Sequence, residues 1–147
     1  MNFAHLHLVL THFPPVLTLG SAVSAGVGVL RRQREAVRLA LVLMLVVGAM
    51  MPLVYLAGDR AADSIGKVEG VQQEAIAPHQ RAATIALTLS VAAALVAGGL
   101  LMIERRRGAL SSTLCVLSFV AAMTAAVPVA WAAALGGAIH HPEIHSH

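Results

Sequence analysis

Apolar residues run along this chain in four long blocks, and the polar residues that interrupt them fall in three places. The blocks cover about 3–30, 36–57, 82–103 and 109–139. Each is long enough to cross a bilayer, which needs about 20 residues of helix. RRQREAVR separates the first pair and ERRRG the second, while a longer segment from Gly58 to Arg81 lies between the pairs. The pattern predicts an all-α protein, a single domain over residues 1–147 built as an integral membrane four-helix bundle. Within the central segment, residues 71–77 have helical composition and stand ahead of Pro78. This predicts a short outer helix in the loop between spans 2 and 3.

Charge gives the blocks a direction. Arg31, Arg32, Arg34, Arg38, Arg105, Arg106 and Arg107 all sit in the two short loops, out of 10 basic residues in the chain. The central segment holds only Arg60, Lys67 and Arg81, balanced by Asp59, Asp63, Glu69 and Glu74. The excess of basic residues on cytoplasmic loops places both arginine loops in the cytoplasm. Both termini and the central segment are then expected on the periplasmic side of a bacterial cytoplasmic (inner) membrane, and four spans return the chain to the side it started from.

Composition agrees. Hydrophobic residues are 58% and charged residues 12%, with a mean hydropathy of +0.79, whereas a soluble domain is nearer half apolar and a quarter charged. The formal charge of +3 raises nucleic acid as a partner, but aromatics are only 3% and the arginines are confined to two short loops, so no basic reading face with stacking rings is encoded. Cys115 lies in an apolar block and reads as a small buried residue. Without a CxxC or CxxCH, neither a thiol redox motif nor covalently attached c-type haem is expected. The N-terminal stretch lacks a basic start, and His5, His7 and His12 punctuate it, so it reads as part of the first span rather than as a cleaved leader.

Alanine, glycine and serine dominate the spans, as in GSAVSAGVG and VAAALVAGG. Small residues let helices pack closely in lipid, and they equally leave room for a flat prosthetic group. Pro14 and Pro15 each remove a backbone donor. Either the first helix kinks there, or the regular helix starts at the prolines and the residues before them form a separate outer turn. Pro128 is expected to kink the fourth span, and Ser111 and Ser112 read as a helix N-cap.

The 8 histidines carry the candidate chemistry. His5, His7 and His12 open the first span, His79 the third, and His140, His141, His145 and His147 close the fourth, so the topology gathers all of them at the outer end. Imidazole is a common metal ligand and the usual axial ligand of b-type haem, and an ionisable side chain at membrane depth marks a functional site. His12 lies about 7–10 Å deeper than His5 and His7 at helical rise, and His7 and His12 diverge by about 140° on a continuous helix. His140 and His141 are adjacent and point apart, so only one of them faces the bundle. His5, His145 and His147 read as exposed end residues. Glu74 and Glu143 are the nearest carboxylates able to orient a ring.

The pieces HLHLVLTHFPP, YLAGDRAADSIGKVEGVQQEAIAPHQRAA and LGGAIHHPEI resemble a group of small bacterial four-helix membrane proteins near the class called domain of unknown function 2231. That pattern opens HLxLxHFP, has a second helix ending YLTG, a loop GVxxxxIxxHE, and a last helix ending LGGxIRHPEI. The matching positions are His7, His12, Phe13, Pro14, Gly58, Gly70, Val71, Ile76, His79, Gly136, Gly137, Ile139, His141, Pro142 and Glu143. Gln80 replaces the pattern's Glu, which puts a carboxylate role there in doubt, and His140 replaces its Arg, which favours His141 as the ligand of that pair. Association of this class with cytochrome c modules implies a redox setting.

The expected function is therefore a b-type cytochrome-like electron-transfer subunit, with haem b held by His7, His12, His79 and His141 at the outer end. His12 and His79 form the first ligand pair. His7 and His141 would serve a second haem, the propionates or a metal ion. The alternatives are a copper or zinc site built from the same four imidazoles, with Glu143 orienting a ligand, and a structural subunit of a larger membrane complex. A hydrolytic enzyme is disfavoured, since no nucleophile elbow, carboxylate pair or phosphate loop is present. Expected partners are membrane lipid and a periplasmic or membrane redox protein, in a homo-oligomer or a larger complex.

Overall fold

A computed structural model of the protein describes residues 3–65, 73–108 and 111–140. Among these residues all regular structure is helical: α1 (Phe3–Leu10), α2 (Phe13–Arg31), α3 (Arg34–Ile65), α4 (Gln73–Arg107) and α5 (Ser112–His140). Four stretches are long and apolar enough to cross a membrane: His7–Arg31, Arg34–Ala61, Ile76–Arg107 and Ser112–Gly137.

Each long helix packs on its neighbour in sequence, and α5 closes the ring against α2. Helices α3 and α5 also meet across the centre, and α1 lies mainly over α3. Tight reversals set this order. Arg32 ends α2 in the left-handed region at φ 52° and ψ 36°, and Gly108 follows α4 at φ 65°. A left-handed residue just past a helix terminates it, and only glycine adopts that region without steric cost. Ser111 Oγ then accepts the Leu114 N–H at 3.1 Å, the N-cap expected from the sequence.

The interior is made of small side chains and the exterior of large ones. Ala25, Ala40, Ala82, Ala86, Ala97, Ala122 and Ala125 are buried, while Val16, Leu19, Leu30, Leu53, Leu95 and Val127 stand out from the surface. In water so much exposed aliphatic surface would drive association; in lipid it is solvated. Closeness compensates for small size: a Cβ on Gly48 would overlap the Ala94 side chain, and one on Gly28 would overlap Val37. Ser21 Oγ donates across the α2–α3 contact to Ala40 O at 2.9 Å.

Two expectations change. The helices extend well past the apolar blocks: α3 continues to Ile65 and α4 starts at Gln73, so most of the expected central loop is helix. The short outer helix expected over 71–77 is not a separate element where it is described, because residues 73–77 are the first turn and a half of α4, running on through Pro78. Hydropathy marks where apolar surface stops, but a helix persists while one stripe still packs, as Ala57 and Ala61 do here. Pro52 also lies inside α3, and Pro128 inside α5, without ending either helix.

Candidate functional site at the histidine end of the bundle

Pro14 and Pro15 fall in the first turn of α2, where their missing N–H groups have no intrahelical partner to lose. Of the two readings of this region the structure takes the second, with α1 a separate short helix. The carbonyls stranded at the end of α1 are met locally. Thr11 N–H donates to His7 O at 2.9 Å, and Leu8 O accepts both Thr11 Oγ1 at 2.9 Å and His12 Nδ1 at 2.7 Å. His12 thus closes the break, and its side chain is exposed. Thr18 Oγ1 donates to Pro14 O at 2.8 Å and to Pro15 O at 3.1 Å, covering carbonyls on the far side of the break.

The half-buried His7 reaches from α1 to α3. Its Nδ1 lies 3.2 Å from Val54 O, and its ring rests where Gly58 has no side chain: a Cβ there would come within 2.6 Å of Cε1. His79, also half-buried, reaches from α4 to α5 in the same manner. Its Nδ1 lies 3.0 Å from Ala132 O, and a Cβ on Gly136 would come within 3.0 Å of its Cε1.

A carbonyl oxygen only accepts, so in all three rings Nδ1 is the donor. In the neutral imidazole Nε2 is then the nitrogen with the lone pair. This is the arrangement used when a ring binds a metal through one nitrogen and is oriented through the other. Among the described residues no three His, Cys, Asp or Glu side chains converge as a metal-binding group. His7 lies against α3, His79 against α5, and His12 caps α1. His141 and Glu143, with Glu74's side chain and those of His5 and His140, lie outside what is described.

Sequence reasoning missed the groups that seat the rings. Val54 O and Ala132 O are backbone atoms and leave no mark in the sequence, and Gly58 and Gly136 stood out only as positions of the family pattern, with nothing to tie them to the histidines. At the opposite end it also passed over Glu104. This carboxylate is fully buried and accepts from Arg34 Nε and from Arg38 Nε, the latter at 3.1 Å. Arg38 also meets Glu35 at 3.3 Å. Two of the seven loop arginines are thereby committed to tying the start of α3 to the end of α4. The chain matches no protein-family model, no curated protein and no solved structure.

Proposed function

We propose that the histidine end of the bundle is an imidazole-ligated cofactor site, and that the protein is a b-type cytochrome-like electron-transfer subunit of a bacterial inner membrane. One observation carries this reading. His7 and His79 are each held by a backbone carbonyl at Nδ1, which directs the lone pair to Nε2. Haem suits that donor set better than a bare metal ion does. Porphyrin fills the equatorial positions and asks the protein for one or two imidazoles, whereas zinc or copper needs three or four protein donors.

In this reading the haem supplies the one-electron chemistry. The protein's residues orient the imidazoles, surround them with apolar helix and keep bulk water away. The arginine loops favour a cytoplasmic position for the opposite end, so the redox partner would approach from the periplasm. Protein purified in mild detergent should be red, with a Soret band that sharpens on dithionite reduction. A colourless preparation with stoichiometric copper or zinc would replace haem by a metal centre. A preparation with neither would leave a structural subunit of a larger complex.

A further inference from the structure

The last turn of α4 is Glu104, Arg105, Arg106 and Arg107, and the bundle treats the first of these unlike the rest. Glu104 is fully buried, and Arg34 and Arg38 of α3 share its charge. Arg38 also meets Glu35. Of the 7 acidic residues in the chain, only Glu35 and Glu104 border the arginine loops, so α3 matches both. Arg105, Arg106 and Arg107 are exposed and take part in none of these ion pairs. They stand over an apolar surface. At 3.6 residues per turn, Arg106 follows Met102, Gly99 and Leu95 along one stripe of α4, and Arg107 follows Ile103 and Val96 beside it. Leu95, Val96, Met102 and Ile103 are all exposed. Gly99 is exposed as well, and no neighbouring atom lies within 4 Å of where its Cβ would stand, so the stripe dips between Leu95 and Met102.

We propose that the end of α4 binds one anionic phospholipid, with the phosphodiester on Arg106 and Arg107 and an acyl chain along Leu95, Gly99 and Met102. Guanidinium matches a phosphate with two parallel N–H donors and keeps its charge at any working pH. Arg105, seven residues on from Gly98 and so on the side that meets Leu45 of α3, widens the positive patch. Charge complementarity selects an anion. The apolar stripe continuous with the arginines selects one that carries acyl chains, since free phosphate would leave that stripe unused. The burial of Glu104 serves the same surface: a carboxylate turned outward beside Arg106 would pair with it and repel phosphate. The site lies at the opposite end of the bundle from His7 and His79, and it stands whether or not a cofactor is bound there.

The test titrates the full-length protein in mild detergent with phosphatidylglycerol or with phosphatidylcholine of the same acyl chains, and reads bound lipid by native mass spectrometry. Wild-type protein should bind phosphatidylglycerol about tenfold more tightly than phosphatidylcholine, because arginines near a membrane surface each favour anionic lipid by about fivefold. Equal binding of the two lipids overturns the proposal without recourse to any variant. The double variant Arg106→Gln, Arg107→Gln should lose most of the preference, while Arg81→Gln, an exposed arginine near the other end of α4, should keep it. All three substitutions are at exposed side chains, so far-UV circular dichroism should match wild type. A double variant that keeps the preference, or an Arg81→Gln protein that loses it, overturns the site. Inorganic phosphate should not displace phosphatidylglycerol at equal concentration; displacement would mark a plain anion site and overturn the lipid assignment.

Discussion

Gly58→Ala puts the packing of the histidine end to a direct test. The added methyl would stand 2.6 Å from Cε1 of His7, 3.0 Å from Nδ1 and 3.2 Å from Nε2. Carbon atoms rest at about 3.5–4.0 Å, so the ring must withdraw by about 1 Å. The Nδ1–O contact with Val54 is already at 3.2 Å, the long limit for such a bond, and the withdrawal breaks it. Losing the bond costs about 1 kcal/mol and the overpacking about 1–3 kcal/mol. Replacing glycine by alanine inside a helix returns about 1 kcal/mol. The net expectation is a destabilisation of about 1–3 kcal/mol. Two controls bracket it. A methyl on Gly99 meets nothing within 4 Å, so Gly99→Ala should be neutral or stabilising. A methyl on Gly136 meets His79 Cε1 at 3.0 Å and needs a shift of only a few tenths of an ångström, so Gly136→Ala should fall between the two. Unfolding by graded denaturing detergent, followed by far-UV circular dichroism, gives the global ranking. Hydrogen exchange in α1 catches the case in which that short helix detaches alone. A Gly58→Ala protein as stable as wild type, with α1 equally protected, would refute the reasoning.

Other consequences follow from the same contacts. Ser21→Ala removes the buried bond to Ala40 O and should cost about 1 kcal/mol, the usual value for an interhelical hydrogen bond in membranes, read in the same detergent titration. Glu104→Gln removes the charge that Arg34 and Arg38 share, so it should lower the unfolding midpoint clearly more than Glu35→Gln, whose carboxylate is largely exposed; equal shifts would show that the clamp contributes nothing. With Cys115 replaced by alanine, a membrane-impermeant maleimide applied to intact cells should label Asp59→Cys and spare Arg106→Cys, both exposed positions at opposite ends. The reverse pattern would invert the proposed orientation.

Four spans, their order and the separation of arginines from histidines were legible in the chain because the bilayer imposes a length and a polarity on any segment that crosses it. The N-cap at Ser111 was legible for a similar reason: it depends on neighbours a few residues away. The end of α3 was not, since what prolongs it is packing of Ala57 and Ala61, which depends on where the other helices lie. The break before Pro14 was visible, but its form was decided by whether Thr11 and His12 could satisfy the stranded Leu8 carbonyl.

The division is sharpest at the histidines. Their number is a property of the sequence, and so is the placing of His7, His12 and His79 at one end, which follows from the order of the apolar blocks. Which of them share a setting is a property of the tertiary structure alone. His7 and His79 become alike because each finds a carbonyl and a glycine on a neighbouring helix, and neither partner can be read from the residues around the histidine.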